Sequence, residues 1–298
     1  MKRILITGAN SYIGTSFEKY MSQFGSDYQI GTVDMRGDSW REKDFSGYDT
    51  VFHVAGIAHA DVAKVSKETK QMYYQVNSTL AIETASKYKS DLSGATGQFI
   101  YMSSIIIYGE ETNINKKRVI TSQTKPNPSN FYGDSKLQAE IGLQPLATTN
   151  FHIAILRPPM IYGPGSKGNY QQLVKLALKL PTFPDVKNER SMLHIDTLCE
   201  FVKQRVDNQD SGVFFPQNKE YTRTSYMVRD IAEEHGRNIY LFSWMNWAIK
   251  LLGYVPGKIG KLTNKAFGNL VYEKNDTGDS LATIVKFNDL KKTEVSQK

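Results

Sequence analysis

The amino-acid sequence predicts an α/β fold in which a parallel sheet is covered by helices on both faces. Short apolar runs alternate with helical stretches through the first half of the chain. Strands that are buried on both faces have this continuous apolar character. The predicted strands comprise residues 4–6, 29–33, 51–54, 98–102 and 153–156, and the predicted helices residues 12–24, 77–88 and 134–143.

A cluster of prolines and glycines between residues 158 and 184 ends this regular alternation. Beyond it we predict a smaller C-terminal lobe that packs on the first part of the chain and is not a separate domain. Its helices are predicted over residues 170–179, 195–206 and 226–235. We expect one domain over residues 1–163, with elements near 195–215 returning to it. The lobe would then occupy residues 164–270, followed by a partly disordered tail over 271–298.

Composition and charge exclude several classes of protein. The chain has 298 residues, 37 Lys and Arg against 30 Asp and Glu, and a single cysteine, Cys199. One cysteine forms no internal disulfide and no cysteine metal cage. The N-terminus turns polar too early for a signal peptide, and no apolar run is long enough to span a membrane. The basic residues are scattered, so we expect a soluble cytoplasmic protein that binds no nucleic acid.

A glycine-rich loop connects the first predicted strand to the first helix. It reads Gly8-Ala-Asn10-Ser11-Tyr12-Ile13-Gly14. Glycines permit a tight bend there, and the backbone N–H groups of the helix N-terminus bind a pyrophosphate. Asp34 lies at the predicted end of the second strand, where a carboxylate accepts hydrogen bonds from ribose hydroxyls. Together these features predict a Rossmann-type, doubly wound dinucleotide-binding domain.

Two details of this loop leave alternatives open. Its middle position is Ser11 rather than glycine, so the side chain either crowds the cofactor or donates a hydrogen bond to a phosphate oxygen. Asp34 repels a 2′-phosphate and favours NAD, whereas a guanidinium at Arg36 can pair with that phosphate. We expect NAD, with NADP as the alternative.

A tyrosine and a lysine share one face of the predicted helix over residues 134–143 and its first turn. Tyr132 and Lys136 are four residues apart. A nearby ammonium lowers the pKa of a phenol from about 10, which suits proton transfer with an alcohol or ketone. Ser104 follows a predicted strand at the sheet edge where ligands bind, and its hydroxyl can hold the reacting oxygen. We predict that these three side chains transfer the proton.

These motifs occur in the order seen in the extended short-chain dehydrogenases/reductases, which include nucleotide-sugar epimerases and dehydratases. The chain resembles that family over about residues 1–255. The resemblance is carried by Thr7-Gly8, Gly14, Asp34, residues 53–56, Asn77, Ser103-Ser104, Tyr108-Gly109, Tyr132, Lys136, Arg157-Pro158 and Tyr162-Gly163.

The resemblance implies a role for each matching residue. It makes Ser104, Tyr132 and Lys136 catalytic and implies no metal. Besides the loop, Asp34, Tyr132 and Lys136, the implied cofactor contacts come from Asp44, Phe45, Val54, Ala55, Gly56, Asn77 and Pro159. The implied substrate contacts come from Ser104, Ile105, Asn169 and Arg190, with Arg190 at the nucleotide phosphates. Family members commonly dimerise, so we also expect a homodimer.

A narrower likeness indicates the reaction. Residues 157–169, 188–196 and 267–272 are similar to bacterial capsule and O-antigen enzymes, namely 4-ketoreductases of UDP-linked 6-deoxy-4-keto-N-acetylhexosamines and related 4-epimerases. Similar dehydratases carry Asp-Glu where this chain has Ile105 and Ile106, so we do not expect elimination chemistry. We predict NAD(P)H-dependent reduction of the 4-keto group of a UDP-linked N-acetylhexosamine in capsule or O-antigen biosynthesis. The alternatives are a UDP-sugar 4-epimerase with tightly bound NAD and a non-catalytic dinucleotide-sensing protein.

We expect structural roles for three of the histidines and for the single cysteine. His53 and His59, with only Asp61 nearby, make a poor metal site. His194 and Asp196 are expected to cap and position the following helix. Cys199 lies at helical spacing among apolar residues and is expected in the core.

The most apolar segment of the chain is residues 241–252. Its residues Trp244, Trp247, Ala248 and Leu251 fall on one helical face. We expect this face to pack on its own protein. The alternatives are a dimer contact and a membrane-surface patch, which would suit a polyprenyl-linked sugar substrate; the membrane contact is not favoured.

Overall fold

The computed structural model describes residues 1–58, 65–110 and 112–274. His59, Asp61 and the part of the predicted tail over residues 275–298 lie outside the described residues. Within them no helix has the length and apolar character needed to cross a membrane.

The described residues contain twelve strands and nine α-helices. The strands are β1 (Lys2–Thr7), β2 (Tyr28–Val33), β3 (Thr50–His53), β4 (Gly97–Met102), β5 (Lys117–Ile120), β6 (Phe151–Leu156), β7 (Met160–Tyr162), β8 (Thr182–Pro184), β9 (Met192–His194), β10 (Gly212–Phe214), β11 (Tyr240–Phe242) and β12 (Asn269–Tyr272). The helices are α1 (Tyr12–Met21), α2 (Lys67–Tyr74), α3 (Leu80–Asp91), α4 (Phe131–Leu143), α5 (Asn169–Lys179), α6 (Ile195–Asn208), α7 (Thr224–Glu234), α8 (Asn246–Leu252) and α9 (Lys258–Phe267).

Six parallel strands form the central sheet in the order β10-β6-β4-β3-β1-β2. The predicted Rossmann-type parallel sheet is therefore confirmed. The chain runs from β1 outward to β2 and then returns to place β3 on the other side of β1. In open α/β sheets, ligands bind at such a reversal, outside the carboxyl ends of the strands. Thr7 and His53 end β1 and β3 side by side, so the residues that follow them border this crevice.

Apolar side chains cover both faces of the sheet. One core contains Leu5, Phe99 and Leu143, and the opposite core contains Phe17 and Phe214. Burying apolar surface contributes about 25 cal/mol per Å² removed from water, so two such cores hold the sheet edge in a fixed position.

The predicted interpretation of the residues around α6 is confirmed. Cys199 is buried in the core that packs under α6. The imidazole of His194 accepts a hydrogen bond from the backbone N–H of Asp196 and caps α6. Outside the central sheet, three two-stranded parallel pairs form, β5–β12, β7–β9 and β8–β11. A third core lies among β8, β9 and α7 and includes Phe183, Met192 and Val228.

The helix predicted over residues 77–88 is longer and interrupted in the structure. It begins as α2, passes through a π-helical turn at Gln75–Thr79 and continues as α3. The hydroxyl of Tyr101 donates a hydrogen bond to the carbonyl oxygen of Asn77, at 2.9 Å, inside this turn. Single π-helical turns are common at functional sites because they reorient a side chain within a helix. Here the reoriented side chain is Asn77.

The expectation that the face of residues 241–252 packs on its own protein is wrong. Trp244 is 73% exposed, Trp247 68% and Leu251 57%. The helix α8 that carries most of this face has only seven residues, and its other side makes the contact with the body through Ile249. Helical spacing predicted which residues share a face, but the opposite face is the one that packs.

Candidate active site

The glycine loop packs against the residues that follow β3. Gly8 has a φ of +81°, and a Cβ there would lie 2.8 Å from the backbone N and Cα atoms of Ala55. Real Cβ atoms do not approach backbone so closely, so only glycine fits. The backbone between β1 and α1 therefore lies against residues 54–56 at the sheet reversal. A bare backbone next to a helix N-terminus is what a pyrophosphate site requires.

Ser11 serves as the cap of α1. Its Oγ accepts a hydrogen bond from the N–H of Gly14 at 3.1 Å. A hydroxyl at this position satisfies one of the unpaired N–H groups of the first turn. Asn10 has a φ of +65°, a left-handed conformation that Asn adopts more readily than most residues. Tyr12 and Ile13 are half-buried in the first turn, and burial raises the pKa of Tyr12 to about 12.

The acidic residue after β2 is paired with a neighbouring arginine. Arg36 Nη2 lies 2.6 Å from Asp34 Oδ2, and hydrogen bonds from Arg36 lower the pKa of Asp34 to about 2. Asp34 is therefore ionised at neutral pH with a guanidinium beside it. Of the implied cofactor contacts Asp44 and Phe45, Phe45 is buried, whereas Asp44 is exposed and accepts a hydrogen bond from the N–H of Ser46 at 2.8 Å.

Asn77 joins the crevice to the helix that carries the predicted catalytic residues. Its Oδ1 accepts from the N–H of Ile57 at 2.8 Å, and its Nδ2 donates to the carbonyl of Ile57 and to Ser135 Oγ. A Cβ at Gly56 would lie 3.2 Å from Asn77 Oδ1 and 3.3 Å from Lys136 Nζ. The cofactor residues implied by the resemblance thus lie next to Lys136.

Local capping and close backbone contact position Tyr132. Asn130 caps α4 by accepting a hydrogen bond from the N–H of Gly133 at 2.9 Å. A Cβ at Gly133 would lie 2.8 Å from the carbonyl oxygen of Ile106, so glycine lets α4 approach the turn after Ser104. Tyr132 lies near Ser104, whose side chain lowers the pKa of the phenol. The structure therefore brings the predicted serine and tyrosine together.

The electrostatics of this pair differ from the sequence-based expectation. Burial raises the pKa of Tyr132 to about 12, and the interaction with Ser104 only partly opposes the rise. The expectation that Lys136 lowers this pKa is wrong, because the buried Lys136 Nζ instead donates to the carbonyl of Met102 at 2.8 Å. Burial also lowers the pKa of Lys136 to about 8. At neutral pH the phenol is protonated and the amine is still largely charged.

A buried ion pair that the sequence analysis missed fixes the position of α4. Glu140 lies one further turn after Lys136, and its Oε2 is 2.6 Å from Arg157 Nη2, with both side chains buried. The hydroxyl of Ser103 donates to Glu140. Arg157 also donates to the hydroxyl of Tyr108 at 2.5 Å. The spacing of Tyr132, Lys136 and Glu140 at four-residue intervals was the available signal, since such residues share one helix face.

The implied substrate residues come from the turn after β4, the start of α5 and the segment before β9. The N–H of Ile105 donates to the carbonyl of Pro158 at 2.9 Å, next to the buried Pro159. Arg190 is half-buried and donates to the carbonyl of Lys265 at 2.7 Å. No ion pair to Arg190 occurs among residues 1–58, 65–110 and 112–274. Asn169 is exposed at the start of α5. A half-buried guanidinium without a carboxylate partner can bind an anion.

The described part of the chain holds no group of three or more His, Cys, Asp or Glu residues arranged for a metal ion. His53 is buried between strands, with its Nδ1 2.9 Å from Thr7 Oγ1. Burial lowers its pKa to about 3, so it is neutral at pH 7. This placement gives His53 a structural role at the end of β3.

Comparison with known proteins agrees with this geometry. The model of the NAD dependent epimerase/dehydratase family matches residues 4–215. The chain belongs to this family. The family match includes the glycine loop, Asn77, Ser104, Tyr132 and Lys136, and it extends past Arg190.

Individual relatives in this family are similar over most of their length. The chain is 28% identical over 304 residues to a UDP-glucose 4-epimerase of Vibrio cholerae, covering 94% of this chain and 90% of that protein. It is 26% identical to N-acetyl-alpha-D-glucosaminyl-diphospho-ditrans,octacis-undecaprenol 4-epimerase of Escherichia coli O157:H7, covering 89% and 82%. Among solved structures, the UDP-glucuronic acid 4-epimerase of Bacillus cereus has the same fold, with a TM-score of 0.65, 18% identity and coverage of 97% and 99%.

Proposed function

We propose that the protein interconverts the C4 epimers of a sugar linked to a diphosphate and uses NAD that it keeps bound. The observation that carries this proposal is the close approach of α4 to the turn after Ser104, with Tyr132 near Ser104 and one helical turn from Lys136. Such a set moves a proton at an alcohol or ketone oxygen. The names of the two relatives that match most of the chain both describe 4-epimerases, one of a UDP-sugar and one of a lipid diphosphate sugar.

The residues present fit a dinucleotide. The close approach of Gly8 to Ala55 leaves bare backbone at the N-terminus of α1 for a pyrophosphate. Asp34 is ionised and can accept hydrogen bonds from ribose hydroxyls. Asn77 and Lys136 would hold the end of the cofactor nearest Tyr132. When bound, the nicotinamide supplies and accepts the hydride at the sugar carbon.

The chain's own residues handle the proton. Ser104 would hold the C4 oxygen, since it lies near Tyr132. Tyr132 would act in its phenolate form: after its own proton has left to solvent, it would accept the proton of the C4 hydroxyl in the oxidative step and return it in the reductive step. The Glu140–Arg157 pair keeps α4, and therefore Tyr132, in place.

Arg190 supports a diphosphate-linked substrate. It is half-buried and forms no ion pair among the described residues, so a diphosphate would satisfy its remaining donors. Asn169 would add a hydrogen bond at the N-terminus of α5, where the helix dipole also favours an anion. We propose these two residues as the phosphate contacts of the substrate.

Net reduction of a 4-keto sugar is a second candidate, and one observation favours it. Burial raises the pKa of Tyr132 to about 12, so the resting enzyme carries a phenol that can donate a proton at once. A reductase needs only this donation, whereas an epimerase must first accept a proton. A 4-ketoreductase would take its hydride from NADH or NADPH added for each turnover.

Two parallel assays distinguish these candidates. Purified protein without added cofactor is incubated with UDP-glucose and with UDP-N-acetylglucosamine, and the C4 epimers are measured by proton NMR. The epimerase proposal expects a mixture of both epimers from at least one substrate. In the second assay, loss of absorbance at 340 nm is measured with NADH or NADPH and a UDP-4-keto-hexosamine. Turnover only in the second assay would overturn epimerisation in favour of reduction.

A further inference from the structure

The helices α8 and α9 form a hairpin with an exposed apolar face bordered by lysines. Its exposed apolar residues include Trp244, Trp247, Leu251, Ile259 and Leu262, and its exposed lysines are Lys250, Lys258, Lys261 and Lys265. We call these nine residues the tryptophan–lysine face. From this composition we infer that the hairpin docks on the surface of a membrane that contains anionic lipids. This inference does not depend on which sugar reaction the protein catalyses.

The hairpin packs against the body on one side. Its apolar residues are therefore exposed although the segment itself is held in place. Asn264 Nδ2 donates to the carbonyl of Gly253 at 2.9 Å and joins the two helices. Asn264 Oδ1 accepts from the N–H of Ile114 at 2.9 Å and ties them to the segment before β5. A Cβ at Gly253 would lie 2.4 Å from the side chain of Ile114, which shows how closely this side packs. The opposite side carries the tryptophan–lysine face.

The apolar residues suit the boundary between lipid headgroups and acyl chains. Trp247 and Leu251 are one turn apart on α8, and Ile259 and Leu262 are three residues apart on α9. Helices that lie in a membrane interface combine Trp and Leu on one face with Lys on the polar side. Tryptophan favours this depth because its ring is apolar while its indole N–H reaches water. Monomeric soluble proteins rarely expose a continuous apolar area of this kind without a partner.

Charge identifies the partner. From His235 to Tyr272 the sequence contains five basic residues and no Asp or Glu. Lys258, Lys261 and Lys265 follow one another at helical spacing, and none of the four lysines of the face forms an ion pair within the described ranges. A second copy of this chain would bring like charges together at such a face. An anionic lipid surface instead complements them, with about a fivefold gain in binding for each lysine near the surface.

The tryptophans provide a direct measurement. The chain has three, and Trp40 is 1% exposed, so a change in emission on binding reports Trp244 and Trp247. Full-length protein is titrated with vesicles of phosphatidylglycerol and phosphatidylcholine and with vesicles of phosphatidylcholine alone. We expect a blue shift and co-sedimentation with the anionic vesicles. Salt at 0.5 M should weaken both the blue shift and the co-sedimentation, since the Debye length falls to about 5 Å.

Matched variants separate the face from overall charge. Lys258→Glu with Lys261→Glu should weaken binding to anionic vesicles at least about 20-fold. Lys19→Glu with Lys43→Glu changes the net charge equally at exposed positions elsewhere and should change binding less than about threefold. Circular dichroism checks that each variant is folded.

Two results would overturn the inference. One is wild-type emission and sedimentation that do not change with anionic vesicles. The other is self-association of the wild-type chain that Trp244→Ser with Trp247→Ser abolishes, which would place the face between two copies. No sugar nucleotide is present, so failure here is distinct from failure of the proposed sugar reaction.

Discussion

Glu140 and Arg157 form a buried ion pair with 2.6 Å between Oε2 and Nη2. It ties α4, the helix of Tyr132 and Lys136, to the end of strand β6 of the central sheet. The pair is supported by Ser103 after β4 and by Tyr108. The position of the proposed proton donor therefore depends on a charge pair inside the protein that touches neither cofactor nor substrate.

Removing one charge of this pair should destabilise the protein strongly. Glu140→Gln leaves the Arg157 guanidinium buried without a counter-charge, which costs about 3–5 kcal/mol in the free energy of unfolding. Urea unfolding measures this loss. The control is Glu83→Gln, whose exposed pair with Arg41 has the same 2.6 Å separation and should contribute less than about 1 kcal/mol. Equal losses in the two variants would contradict the structural role of Glu140.

Removing the phenolic hydroxyl should abolish the reaction and spare the cofactor. Tyr132→Phe is expected to lower kcat by about 10²- to 10⁴-fold, the range for loss of a general acid or base. The dissociation constant for NAD, measured by calorimetry, should change less than about twofold. Tyr20→Phe is the control, since this tyrosine of α1 lies outside the proposed site. Undiminished turnover in Tyr132→Phe would refute the assignment of the proton donor.

A side chain at Gly8 should weaken cofactor binding. The added Cβ of Gly8→Ala meets Ala55 backbone at 2.8 Å and must displace either the loop or residues 54–56. We expect NAD to bind at least about tenfold more weakly, an effect of about 1.4 kcal/mol. Gly94→Ala is the control, because Gly94 also has a positive φ, +92°, but an added Cβ meets nothing within 4 Å. It should lose about 1 kcal/mol of stability and bind NAD normally. Equal NAD affinity in both variants would show that the loop does not hold the dinucleotide.

His53 should make the protein less stable in acid. Burial lowers its pKa from 6.5 to about 3. Below pH 6.5, His53 therefore binds a proton in the unfolded chain but stays neutral in the folded protein until the pH approaches 3. Stability is therefore lost as pH falls from 6.5 toward 3, by about 1.4 kcal/mol per pH unit from this residue. The difference in unfolding free energy between wild type and His53→Gln should shift by about 2 kcal/mol between pH 6.5 and pH 4.5. A difference that stays constant over this range would contradict the burial of a neutral His53 in the folded protein.

The sequence predicted the features that local pattern determines. Apolar runs identified the strands of the main sheet, because strands buried on both faces need apolar side chains throughout. The loop from Gly8 to Gly14 and the pair Tyr132 and Lys136 could be predicted because their spacing within one element indicates the chemistry. Ser104 could be predicted because it follows a strand at the sheet edge where ligands bind.

Features that depend on distant contacts were missed or were wrong. The partner of Glu140 is 17 residues away on another element, and nothing in the spacing indicates it. The π-helical turn at Asn77 depends on packing with Tyr101, which lies on the sheet. The rise in the Tyr132 pKa results from burial that the sequence does not display. For residues 241–252, helical periodicity identified a face but not the direction in which it points.

The most direct test of the proposed chemistry follows a deuterium at the sugar carbon. Purified protein without added cofactor is incubated with UDP-glucose and with UDP-N-acetylglucosamine carrying deuterium at C4, and the products are examined by NMR. We predict that one of them yields its C4 epimer with the deuterium still at C4, since the same site removes and returns it. Recovery of both sugars unchanged, from protein shown by mass spectrometry to contain NAD, would contradict the account.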